Sequence, residues 1–167
     1  MPDVFERYFK SFGYEAPDLY ELVRLDPSYR VVFGPNDYED QSANMAELEA
    51  MFDRLDPGSS KRLRKFLAEA AYKYEVGIKD LVHKPARSLL EFADFRILKG
   101  LFQLDLLKDM RKHVAEVSAH PKLKAIMEFP VLFLGALPQN TPALYSLMNY
   151  ADMSMGTWYP QGGMHKI

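Results

Sequence analysis

Two apolar stripes of helical period constrain this chain most. Met45, Leu48, Met51, Phe52 and Leu55 recur three and four residues apart, as do Leu63, Phe66, Leu67, Ala70, Tyr74, Ile78 and Leu81. Residues at those intervals share one face of an α-helix. A helix with one greasy face is marginal alone and must bury that face against another element. Asp56-Pro57-Gly58 separates the stripes and reads as a turn. Ser42 or Asn44 caps the first helix, and Ser59 or Ser60 starts the second. His83-Lys84-Pro85 breaks the second, because proline lacks a backbone donor and restricts the residue before it.

The flanking pattern predicts the remaining elements. Val4, Phe5, Tyr8, Phe9 and Phe12 give a short helix over 1–12, stopped at Gly13. Residues 18–22 read as a helical turn or the start of a strand. Tyr20–Leu25 and Tyr29–Gly34 are strand-like runs around Asp26-Pro27-Ser28, which predicts a hairpin between them. A further short strand is expected near 38–41. Residues 87–103 are helical without a clean face. Leu107, Met110, Val114 and Val117 predict an amphipathic helix over 104–117. Pro121 suits the first position of another helix, with His120 before it, ending near Phe129-Pro130. Thr141-Pro142 opens a last helix through Tyr150. Residues 156–160 are extended, and Gln161-Gly162-Gly163 is a turn. The predicted class is α+β: a small antiparallel sheet from strands at about 20–41 and 156–160, with a helical lobe over about 43–151.

Composition removes several function classes. The 21 basic and 23 acidic residues leave a net charge of -2, which does not suit a nucleic-acid surface. With no cysteine there is no disulfide framework, thiol chemistry or Cys-based zinc site, which fits a reducing compartment. His83, His113, His120 and His165 show no paired metal-ligand spacing, so no metal is expected. None of the nine glycines forms a Gly-x-Gly pair, so no dinucleotide-cradling turn is present. There is no P-loop and no Gly-x-Ser-x-Gly elbow. The longest apolar run, Phe129 to Pro138, is half of the roughly 20 residues a spanning helix needs, so no membrane crossing is expected.

Several features admit two readings. Lys61-Arg62-Leu63-Arg64-Lys65 is a solvated helix face or a contact for anionic lipid heads. The stretch from Phe129 to Leu137 is ordinary core or the wall of an apolar tunnel. Met148, Met153, Met155 and Met164 are core filler or the lining of a forgiving greasy cavity. Trp158, the single tryptophan, packs beside a turn or against a flat cofactor or a polyene.

Two stretches give the chain a family likeness. One runs from His120-Pro121-Lys122-Leu123 through Phe129-Pro130-Val131-Leu132-Phe133-Leu134-Gly135 to Pro142-Ala143-Leu144-Tyr145-Ser146-Leu147-Met148. The other is Gly156-Thr157-Trp158-Tyr159-Pro160-Gln161-Gly162-Gly163-Met164. Together with Leu25-Asp26-Pro27-Ser28-Tyr29-Arg30-Val31-Val32-Phe33 they resemble the bacterial and fungal phytoene desaturases, FAD-dependent carotenoid desaturases. The resemblance covers essentially the whole chain, and the Trp-Tyr-Pro-x-Gly-Gly-Met block is its most specific part.

The resemblance implies that residues 1–167 are an internal, substrate-binding segment of a flavin amine-oxidase-like two-domain enzyme. The FAD-binding domain, built from the two ends of such an enzyme, is absent here. FAD is therefore the implied cofactor of the longer protein and is not expected to bind this segment. The implied substrate is phytoene or another long polyene, held by Phe129, Leu132, Phe133, Leu134, Tyr145, Met148, Trp158 and Tyr159. Gly162 and Gly163 would give the backbone close access to the flavin. Glu91 is the candidate acid/base, with Asp94 and Asp152 as rivals, because a carboxylate in a greasy channel has a raised pKa suited to proton transfer. The implied partners are the missing FAD-binding domain and a membrane surface, and the implied location is cytoplasmic, peripheral to the inner face of the membrane. The same residues also suit a related polyene isomerase, saturase or oxygenase, or a stand-alone lipid- or membrane-surface-binding helical domain.

Overall fold

A computed structural model of the chain describes residues 2–77 and 108–167. These fall into two compact units, one of Met1–Leu48 with Ala151–Ile167 and the other of Glu49–Tyr150.

The first unit begins with helix α1, Pro2–Lys10. Its end is closed by backbone bonds from Tyr14 N to Phe9 O and from Gly13 N to Lys10 O, with Gly13 at φ 82°. That left-handed position explains the glycine, since a side chain there meets the backbone. A single turn follows, α2 (Ala16–Leu19), and the first strand begins at Leu22, so residues 18–22 hold both the end of a helical turn and the start of a strand. Strand β1 spans Leu22–Arg24, β2 Tyr29–Gly34, β3 Asp37–Gln41 and β4 Trp158–Pro160.

The hairpin expected between Tyr20–Leu25 and Tyr29–Gly34 does not form. Instead β2 pairs antiparallel with β3, Tyr29 opposite Gln41, and β1 pairs antiparallel with β4, Leu22 opposite Pro160. The Asp26 side chain explains why its turn does not close a hairpin. It accepts from Ala43 N at 2.9 Å and Ser42 Oγ at 3.2 Å, which ties the turn to the start of the next helix. Leu25 N then bonds Thr157 O, extending the β1–β4 ladder. Strand propensity reports a pleated, half-buried segment and leaves the partner open.

Helix α3 (Met45–Leu55) starts where Asn44 Oδ1 accepts from Ala46 N at 2.9 Å. The division between the units falls within it. Its stripe is buried as expected at Leu48, Met51 and Phe52. Helix α4 (Ser59–Tyr74) follows, and Leu63, Phe66, Leu67, Ala70 and Tyr74 are all buried. Asp53 secures the turn between α3 and α4, accepting from Gly58 N, Ser60 N and Ser60 Oγ. Those bonds hold its carboxyl below the ordinary carboxylate value, the Ser60 hydroxyl first. Ile78, Leu81, the His83–Pro85 break and the helix expected over 87–103 lie outside the described residues.

Helix α5 spans only Met110–Ala115, although the apolar spacing predicted a helix from 104. Asp109 sets the later start: its backbone is extended at ψ 154° and its side chain accepts from Lys112 N, making it the N-cap. Residues 104–107 lie outside the described region. Met110, Val114 and Val117 are buried, as the stripe required. Helix α6 (Pro121–Glu128) begins with proline at its first turn after His120, as expected, and passes into a short 3-10 helix, Phe129–Leu134. The last helix, expected over 141–150, is a string of short turns: Ala143–Ser146, Leu147–Asn149 and a π-turn at Tyr150–Met155. Ser146 Oγ donates to Ala143 O at 2.8 Å, a local bond that competes with regular helix.

Most of the basic cluster is used within the second unit. Arg62 pairs with Asp56 at 2.8 Å, Arg64 forks onto Glu49, and Lys65 faces Glu69 at 3.9 Å. No helix among the described residues is long and apolar enough to cross a membrane.

Candidate functional site

The apolar run after α6 is only partly buried. Pro130 and Val131 are buried, but Phe129, Leu134 and Leu137 are exposed, Leu132 is 68% exposed and Phe133 73%. The 3-10 turn causes this. It places successive side chains at about 120° to each other, so only part of an all-apolar run can face the α6 side. Phe129 and Phe133 meet edge to face with centroids 5.5 Å apart, and Gly135 at φ 63° ends the turn. The result is a greasy ridge on the surface. Tyr145 and Met148 are half-buried on the turns that follow.

In the first unit, Trp158 separates two open clefts. One, of about 260 Å³, is lined by Pro2, Phe5, Leu22, Gly156, Thr157, Trp158, Pro160, Met164 and Ile167, with no charged side chain. The other, of about 380 Å³, is lined by Pro2, Glu6, Ala16, Pro17, Tyr20, Glu21, Leu22 and Trp158. The β1–β4 pairing fixes the indole, and its N–H donates to Met155 O at 3.0 Å. Tyr159, its neighbour on β4, is exposed. Gly156, at φ 85°, makes room for the Arg24 guanidinium, which a Cβ there would strike. Gly162 and Gly163 have φ 85° and 112°, so the turn itself requires glycine.

Among the acid/base candidates, Glu91 and Asp94 lie outside the described residues. Asp152 is half-buried and accepts from the Tyr29 hydroxyl at 2.5 Å and from Thr157 Oγ1 at 3.5 Å. Burial lifts its carboxyl above the ordinary 3.8, against the pull of both hydroxyls. Burial first, then the Asp152 charge, raises the Tyr29 phenol in turn. Strand β2 and the π-turn thus hold a carboxyl group that keeps its proton more readily than an exposed aspartate.

This has a measurable consequence. A carboxyl with a raised folded pKa contributes stability that is complete below 3.8 and is lost as pH rises through the folded value. Asp152→Asn removes that titration. The melting temperature of the variant relative to the parent should therefore climb as pH rises from below 3.8, then level off. A difference that does not change with pH would contradict the assignment. The background has the opposite slope: hydrogen-bonded Asp40, Glu49, Asp53, Asp56 and Asp109 have lowered values and lose their contribution as pH falls through them.

Known proteins resemble the chain along its whole length. It is 36% identical over 168 positions to a carotenoid 3,4-desaturase of Haloarcula japonica and 30% identical over 167 to the zeta-carotene-forming phytoene desaturase of Myxococcus xanthus. A phytoene desaturase of Neurospora crassa is 26% identical over 171 positions. Each alignment takes in all of this chain and 34%, 32% and 29% of the relative. The chain is homologous to a segment of the carotenoid desaturases. It spans about a third of the length of these curated relatives. No protein-family model matches it.

One cluster of this desaturase-like segment escaped the sequence reading. Lys73 is fully buried on α4, with Nζ 3.4 Å from His113 Nε2, 3.3 Å from Ser146 Oγ and 3.3 Å from Ala143 O. His113 is also buried, stacked on Phe66 at 4.7 Å and 3.7 Å from Glu116. Lys73 lies three residues beyond Ala70 of the α4 stripe and one before Tyr74. Its signal was positional: a lysine three residues after a core alanine sits on the apolar side.

Proposed function

We propose that this chain is the substrate-side segment of an FAD-dependent oxidoreductase that desaturates phytoene or a related carotenoid precursor. The observation that carries the reading is the similarity to carotenoid and phytoene desaturases over all 167 residues, from the N-terminal helix through the Trp-Tyr-Pro-Gln-Gly-Gly-Met block. The exposed apolar surface is consistent with it. A hydrocarbon offers no polar group to grip, so shape and apolar contact must hold it. The ridge of Phe129, Leu132, Phe133 and Leu134, with Tyr145 and Met148 on the following turns, supplies one such surface. The uncharged cleft beside Trp158 supplies another. The ridge is also suited to the edge of a membrane in which carotenoids dissolve.

The described residues do not fit FAD. Both strand pairs are antiparallel, and none passes through a Gly-x-Gly turn into a helix. The Gly162-Gly163 turn is not an open cradle either, because a Cβ there would meet Lys166 and His165 at 3.2 and 3.1 Å. The cofactor is therefore assigned to other parts of a longer protein. What this chain contributes is an exposed apolar surface and, at Asp152, a half-buried proton-binding carboxyl group.

An antibody raised to this chain and used on extracts of its source cells tests the reading. A band far above 19.3 kDa, with flavin co-purifying, is the expected result. A native band at the mass of this chain would overturn it and leave a stand-alone protein that binds apolar ligands.

A further inference from the structure

The larger cleft beside Trp158 contains groups for which a polyene has no use. Tyr20 lies in its lining with only 7% exposure, and its hydroxyl has no hydrogen-bond partner among the described residues. A buried, unsatisfied hydroxyl is costly and calls for a partner. Two carboxylates, Glu6 and Glu21, also line the cleft, and among the described residues neither enters an ion pair. No lysine, arginine or histidine lines it. The rest of the wall is Pro2, Ala16, Pro17, Leu22 and Trp158. With the indole N–H already donated to Met155 O, Trp158 has only its ring to offer a ligand.

We propose that this cleft binds a small organic ammonium ion with an apolar body. The ammonium N–H groups donate to the Tyr20 hydroxyl oxygen, the two carboxylates neutralise its charge, and the apolar body lies along Trp158 and Leu22. Aromatic rings and carboxylates together favour a cation over a neutral or anionic ligand of equal size. The volume of about 380 Å³ is that of a small-molecule pocket. Burial and the Glu6 charge both raise the pKa of the Tyr20 phenol, so it stays protonated. The assignment goes beyond the desaturase reading and stands or falls without it, because its test requires no turnover.

Trp158 is the only tryptophan of these 167 residues, so the fluorescence of this chain reports from the cleft itself. The full chain is titrated with 2-phenylethylammonium, its N-trimethyl derivative, neutral 2-phenylethanol and anionic 3-phenylpropionate. A saturable emission change is expected with the two cations, at least tenfold tighter than with the alcohol or the acid. The Glu6→Gln, Glu21→Gln double variant should lose that tenfold preference while still binding the alcohol, which shows that it remains folded. Tyr20→Phe should weaken 2-phenylethylammonium several-fold and leave the trimethyl derivative unchanged. Equal binding of cation, alcohol and acid overturns the proposal. So does a cation preference that survives in the double glutamine variant, or an ammonium affinity indifferent to the Tyr20 hydroxyl.

Discussion

Replacing Phe52 with alanine should lower the unfolding free energy by about 3–5 kcal/mol. Phe52 is 0% exposed on α3 and belongs, with the buried residues Met51, Leu63 and Phe66, to the second unit. The loss combines the transfer of the ring out of water with the cavity left behind. Phe133→Ala is the control. That ring is exposed on the ridge, and its removal should change stability by no more than about 0.5 kcal/mol. Urea unfolding of the two variants measures both values, read as a shift of midpoint at constant slope. A Phe52→Ala cost below about 1 kcal/mol would mean that Phe52 is not buried as described.

The second large effect is on activity. Leu132→Asp with Phe133→Asp places two charges on the exposed ridge without touching the core. In the complete protein the pair should cut polyene turnover at least tenfold and leave the melting temperature nearly unchanged. The argument is that a hydrocarbon meets a surface only by apolar contact, and two carboxylates there must be desolvated before any approach. Turnover measured on lipid vesicles loaded with phytoene decides the matter. Unchanged turnover would remove the ridge from the substrate path and from the membrane edge alike.

The helices of this chain were more legible than its strand partners, for a physical reason. The stripes on α3 and α4 are local signals, and a three-or-four spacing fixes the buried face wherever the helix goes. Strand pairing is non-local. Tyr20–Leu25 reads as a strand, yet nothing within it names a partner more than a hundred residues away at Trp158–Pro160. A polar residue moved one boundary that apolar spacing alone placed wrongly: Asp109, as N-cap, starts α5 at Met110. Composition cannot tell an exposed greasy ridge from a buried one, and in the Phe129–Leu137 run it is the 3-10 geometry that turns several side chains outward. The candidate site was legible in part. Trp158 and Asp152 were visible as types suited to the chemistry, whereas the buried Lys73–His113–Ser146 cluster and the unsatisfied Tyr20 hydroxyl depend on residues brought together only by folding.

The most direct test of the central claim is product analysis of the complete purified protein acting on phytoene in vesicles. Desaturation predicts loss of phytoene and the appearance of products with longer conjugated chromophores, absorbing at longer wavelength. Products of the same hydrogen count, or more saturated ones, would contradict the claim and assign the protein to polyene isomerisation or saturation instead.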